Sequence, residues 1–87
     1  MIITYSKNFK KNFKKLSKSI KIKVEERLQI FLQDEFDPIL NNHSLHDPWK
    51  GARSINITGD IRLIYSKIEK DNTYLLIEIG SHSKLYR

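Results

Sequence analysis

Four side chains near the carboxyl end combine types suited to proton transfer and to handling negative charge: Asp60, Arg62, His82 and Tyr86. An imidazole titrates near neutrality, which makes His82, and His43 in an earlier loop, the natural candidates for general acid and base. A guanidinium stays protonated, so Arg62 suits charge that develops on an oxygen in a transition state. Asn56, Arg53, Lys50 and Lys84 add hydrogen-bonding and cationic groups able to hold an anionic substrate. One reaction within reach of such a set, without a metal, is attack of a ribose 2′-hydroxyl on its own phosphate. That reaction needs a base near the hydroxyl, a cation for the phosphate and an acid for the departing 5′-oxygen.

These groups must be positioned by two pieces of chain. In the first, Ile55, Ile57, Ile61, Leu63 and Tyr65 keep odd parity across Thr58-Gly59-Asp60, as expected of two paired strands with alternate residues on opposite faces. A two-residue Gly-Asp loop would scatter the apolar set over both faces. A three-residue Thr58-Gly59-Asp60 loop keeps it together, with Gly59 expected to supply a positive φ. The face away from the core then collects Ser54, Asn56 and Arg62, with Asp60 at the rim. In the second piece, Thr73 to Ile79 reads as the last strand with Leu75, Ile77 and Ile79 alternating, and Gly80 breaks it to release His82 and Tyr86 into a short terminal segment.

Upstream, Met1 to Tyr5 is β-prone and Ser6 is placed to cap a helix. Phe9, Phe13, Leu16 and Ile20 recur at helical spacing, with Lys7, Lys10, Lys11, Lys14 and Lys15 around the other faces. Ser17-Lys18-Ser19 marks a break before a second helix, whose Val24, Leu28 and Phe31 share a side and which ends in the stretch running to Pro38. Ile39 to Pro48 is a connection, and Trp49 is expected to anchor that loop onto the sheet. The expectation for residues 1–87 is a single α+β domain. An N-terminal strand and a two-helix hairpin pack on one face of a mainly antiparallel four-stranded sheet, leaving a concave face on which a long polymer could lie.

The bulk properties agree with an anionic partner. The 87 residues carry a formal charge of +6 with a pI near 9.7, and eight lysines with no acid fall within the first 23 residues. Lysine's flexible point charge suits attraction to a phosphate backbone, so Lys10, Lys11 and Lys14 are candidate substrate contacts, although an acidic protein would be drawn by the same field. With no cysteine there is no disulfide or thiolate chemistry. No long apolar run is present, so no membrane association is expected and the chain should act in the cytoplasm. His43-x-x-His46-Asp47 resembles a metal cluster only weakly, and neither metal nor cofactor is expected.

Trp49-Lys50-Gly51-Ala52-Arg53, then Gly59-Asp60-Ile61-Arg62-Leu63-Ile64-Tyr65, then Gly80-Ser81-His82-Ser83-Lys84-Leu85-Tyr86, resembles the RelE/YafQ superfamily of bacterial type II toxins, the YafQ branch most closely. The resemblance implies the RelE-like fold and a cofactor-free endoribonuclease, an mRNA interferase cutting mRNA in the ribosomal A site among rRNA contacts. A cognate antitoxin would hold it inactive. It also implies that His82 and His43 are catalytic, that Tyr86 helps hold the substrate, and that Asp60 matches the aspartate after the turn. Two positions depart from the branch: Asn56 stands where YafQ-like members carry a further histidine, and Arg62 where RelE-like rather than YafQ-like members place an arginine. Asparagine can hydrogen-bond a phosphate or ribose but cannot shuttle a proton.

Each candidate also has a purely structural reading: a surface histidine for His82, an ion pair with Glu78 or Asp60 for Arg62, packing for Tyr86. Two other functions fit the same outline, a non-catalytic RNA- or protein-binding module on the toxin fold and a ParE-like gyrase-poisoning toxin.

Overall fold

The computed structural model describes residues 2–86, so Met1, which the sequence assigns to the first strand, lies outside the described residues. Strand β1 (Ile2–Tyr5) leads into helix α1 (Lys7–Lys14) and helix α2 (Lys18–Gln33); β2 (His43–Ser44), β3 (Arg53–Asn56), β4 (Ile61–Ile68) and β5 (Thr73–Ser81) follow, and a short α3 (His82–Leu85) closes the chain. The sheet order is β1-β5-β4-β3-β2, with β1 parallel to β5 and every other pairing antiparallel.

Local sequence sets the helix boundaries. Ser6 Oγ accepts from the Phe9 amide at 3.0 Å and Ser17 Oγ from the Ile20 amide at 3.3 Å, each satisfying a donor that the first turn leaves free. Helix α2 stops at Gln33, earlier than Pro38 demands; Pro38 instead opens a 3₁₀ turn, with Asp37 Oδ1 accepting from Ile39. The helical stripe of Phe9, Val24 and Phe31 is buried against Ile55, Ile57, Leu63, Tyr65, Tyr74, Leu76 and Ile79 of the sheet, with Phe13, Leu16, Ile20 and Leu28 around it. This is the helix-on-one-face arrangement that the periodicities predict.

Four sequence expectations are corrected. The sheet has five strands rather than four, because His43 and Ser44 within the expected connection pair with Ser54 and Arg53. The β3–β4 loop is Thr58-Gly59-Asp60, as parity requires, with Ile55 opposite Leu63 and Asn56 opposite Arg62. Yet Gly59 is not in the left-handed region, where the one glycine is Gly51 at φ 89°. Thr58 Oγ1 closes the loop by accepting from the Asp60 and Ile61 amides at 3.2 and 3.0 Å, so no left-handed residue is needed.

The alternation of Leu75, Ile77 and Ile79 also fails. The β4–β5 register shifts between Ile64, opposite Glu78, and Tyr65, opposite Leu76. That bulge reverses the parity, so Tyr74, Leu76 and Ile79 enter the core. Nor does Gly80 break the strand: β5 continues to Ser81, and α3 turns back over Gly80 so that Leu85 and Lys84 atoms lie 3.6 Å from where a Cβ would stand.

Candidate active site

The sheet face away from the helices is not an open polar surface. Ala52, Ile64 and Leu85 form a second buried cluster, flanked by Leu45, Trp49, Ile77 and Tyr86. Trp49 is the anchor expected of it, its indole N–H donating to the Leu85 carbonyl at 3.1 Å and so joining the loop to α3. Ser54, expected on the polar patch, is fully buried here and accepts a 2.8 Å hydrogen bond from the Tyr86 hydroxyl. One apolar patch thus clamps the loop before β3 and the terminal helix side by side. Their near approach creates a cavity.

That cavity, about 350 Å³, is lined by His43, Ser44, Leu45, His46, Asp47, Pro48, Trp49, His82 and Tyr86. All three histidines of the chain therefore open onto one space, although His43 and His82 stand 39 positions apart. His43 sits on β2 opposite Ser54, the residue that holds Tyr86. Its Nδ1 lies 2.9 Å from the Asn41 carbonyl, which fixes that nitrogen as the protonated one in the neutral ring and leaves Nε2 as the acceptor. His82 begins α3, its backbone N–H donating to the Asp60 carbonyl at 2.8 Å, and its ring meets Tyr86 edge to face with centroids 4.7 Å apart. Ser81 Oγ caps the segment by accepting from Lys84. Both imidazoles are exposed, so proton exchange with a bound substrate is open to them.

The remaining candidates distribute differently. Arg62 lies opposite Gly80 on the sheet, and its guanidinium donates to the carbonyls of Thr58, Gly59 and Ile61 at 3.0, 3.1 and 3.3 Å. It does not line the cavity; nor is it ion-paired with Glu78 or Asp60 among the described residues. Asp60 is exposed at the rim. Asn56, facing Arg62 across the ladder, has its carboxamide oxygen buried with no partner. Arg53 turns away, donating from Nε to Asn42 Oδ1 at 2.7 Å and covering the Phe36 ring at 5.2 Å. Lys50 and Lys84 are exposed on either flank. Lys10, Lys11 and Lys14 are exposed on α1, a separate element; Lys10 and Lys14 edge an apolar groove formed with Tyr5, Phe9, Phe13 and Leu28.

Sequence reasoning missed His46 as a cavity group, having weighed it only as a metal ligand. The signal was its place one turn before Trp49, whose amide donates to the His46 carbonyl at 2.8 Å and so ties that turn to the anchor. Among the described residues no group of three His, Cys, Asp or Glu side chains is arranged to hold a metal ion.

No curated protein sequence gives a significant match. The fold is similar to that of YafQ from E. coli strain BL21(DE3), at 22% identity, 98% of this chain, 97% of that one and a TM-score of 0.82. It is similar to a metal-bound toxin from Helicobacter pylori at 27% identity, with 99% of each chain covered and a TM-score of 0.74. The YafQ chain in the E. coli DinJ–YafQ toxin–antitoxin complex matches at 26% identity, 98% and 96% coverage and a TM-score of 0.75. A sequence model of bacterial toxins of type II toxin–antitoxin systems, YafQ, matches residues 1–87. The order Trp-Lys-Gly, Gly-Asp and Gly-Ser-His, the five-stranded sheet and the whole-chain match converge: this chain belongs to the YafQ family of bacterial type II toxins, within the RelE/YafQ superfamily.

Proposed function

We propose that this toxin is a metal-independent endoribonuclease that cleaves mRNA, in the ribosomal A site, by attack of the ribose 2′-hydroxyl on the adjoining phosphate. The observation that carries the reading is the meeting of His43, His82 and Tyr86 at one cavity, from elements remote in sequence. Two exposed imidazoles facing the same space can divide the work, one taking the 2′-hydroxyl proton and the other protonating the leaving 5′-oxygen. With Nδ1 turned to Asn41, His43 presents the unprotonated Nε2 of a base; His82 then serves as the acid. Tyr86, tethered to Ser54, supplies a fixed aromatic surface for a base. Arg62 stiffens the turn that carries Asp60 and, through the Asp60 carbonyl, the amide of His82. The Asn56 amide N–H, not its buried oxygen, is the group that could donate to ribose or phosphate, and the exposed Lys50 and Lys84 supply cations. The ribosome contributes the rest of the positioning, as a site with so few converging groups requires.

A cognate antitoxin, as in the DinJ–YafQ complex, is the natural partner, and a +6 surface favours an acidic or amphipathic segment from it. The reading places the protein in the cytoplasm, with the ribosomes; among the described residues no helix is long and apolar enough to cross a membrane.

His82→Gln tests the assignment, because glutamine keeps approximate size and hydrogen bonding without titrating near neutrality. The variant should fold and bind antitoxin, while its single-turnover rate on ribosome-bound mRNA falls by roughly 10²–10⁴, the usual contribution of a positioned acid or base. A wild-type rate would show that the terminal motif is structural; DNA damage in place of cleaved transcripts after expression would point to gyrase poisoning.

A further inference from the structure

On the other side of β2 from the histidine cavity lies a second hollow of about 510 Å³, walled by Phe36, Arg53 and Lys67 with Glu35 and Glu69. Ser44, on the two-residue strand β2, borders both spaces. Phe36 is 59% exposed, the largest exposure among the big apolar side chains of the described residues. A ring so placed is open to contact with a ligand. Its backbone is fixed, the amide donating to Asp34 Oδ1 at 3.0 Å.

Arg53 lies over the Phe36 ring, and it is held there: Nε donates to Asn42, whose amide donates to the Glu35 carbonyl at 3.0 Å and the Tyr65 hydroxyl at 2.8 Å. A long flexible side chain is therefore immobilised beside an exposed aromatic ring before any ligand arrives, so stacking there costs little ordering. The charges decide what stacks. Arg53 and Lys67 are balanced by Glu35 and Glu69, which approach Lys67 Nζ to 3.9 and 4.0 Å. A phosphate would gain little in so balanced a hollow, whereas an uncharged heterocycle with a π face suits it.

We infer that Phe36 and Arg53 form a stacking platform for one nucleobase of the RNA strand, flanking the linkage that lies at the histidine cavity. This inference rests on the endoribonuclease reading above. It concerns substrate positioning, and the platform accepts any base, because each offers a flat face.

The test compares wild type, Phe36→Ala and Phe36→Trp on ribosome-bound mRNA, using transcripts with a single abasic nucleotide at successive positions around the cut. Phe36→Ala should raise the half-saturating concentration about 5- to 150-fold, the range expected for losing one base–aromatic stack, with the maximal single-turnover rate unchanged. Phe36→Trp should restore wild-type behaviour. An abasic nucleotide at one flanking position should erase the difference between wild type and Phe36→Ala. Equal half-saturating concentrations, failure of tryptophan to rescue, or insensitivity to every abasic position would overturn the platform while leaving cleavage itself intact. If wild type cut no mRNA, the endoribonuclease reading would fail separately. Affinity for a fluorescent single-stranded oligonucleotide would then decide the platform, and equal affinity of wild type and Phe36→Ala would refute it. Loss of antitoxin binding with unchanged RNA affinity would assign Phe36 to a protein contact and refute it also.

Discussion

The two hollows on either side of β2 are built from opposite materials. On one side Glu35 accepts hydrogen bonds from the Tyr65 and Tyr74 hydroxyls, Asn42 bonds Tyr65, and Arg53 bonds Asn42, so most of the polar groups in the network are engaged. Phe31 meets both tyrosine rings edge to face at 4.8 and 5.0 Å, locking them into the core. On the other side three histidines and Asp47 face an open space, and among the described residues only His43 of the three has a ring hydrogen bond. The first region stores stability in satisfied polar groups; the second leaves its imidazoles exposed on an open cavity. A substitution should therefore move one property or the other, according to the side of β2 on which it falls.

The largest test on the satisfied side is Glu35→Ala. It leaves the hydroxyls of two buried tyrosines, Tyr65 and Tyr74, without their acceptor, which should cost about 2–3 kcal/mol in urea unfolding. Cleavage at saturating substrate should change little. A turnover loss comparable to that of His82→Gln would join the two regions into a single site.

Alkaline pH gives a smaller and graded test. Burial, then the hydrogen bond to Glu35, pushes the Tyr65 hydroxyl well above its ordinary value of 10.0, and the same causes in the same order raise Tyr74. Because both folded values lie above the unfolded one, their contribution is fully present below pH 10 and is lost as pH rises beyond it. Each tyrosine should then add a slope of up to about 1.4 kcal/mol per pH unit. Tyr65→Phe should lower stability at neutral pH and make the loss above pH 10 shallower. An unchanged slope would mean that Tyr65 ionises as freely in the folded chain as in the unfolded one.

The smallest effect belongs to a third region, the lysine-rich α1, which lies outside both hollows. Replacing Lys10, Lys11 and Lys14 together by Gln should weaken association with ribosomes a few-fold at low salt and flatten the salt dependence. Screened attraction acts on binding rather than on the chemical step. Equal binding across salt concentrations would remove α1 from the RNA footprint.

The linear chain already determined much of this. The cap at Ser6, the break at Ser17-Lys18-Ser19, the helical stripes of Phe9 and Val24, the parity around Thr58-Gly59-Asp60 and the terminal Gly80-Ser81-His82 are local patterns, readable because period and capping act over a few residues. The bulge in β5 across from the Ile64–Tyr65 step, which reverses the buried set in that strand, was not legible, since alternation carries no mark of where a register shifts. Nor was the loss of Arg62 to the carbonyls of its own turn, a choice made only when that turn closes. Most of all, the sequence named His43 and His82 as suitable groups but could not bring them together. That was decided by Trp49 reaching the carbonyl of Leu85 and by Tyr86 reaching the buried Ser54, contacts between segments more than thirty residues apart, set by tertiary packing alone.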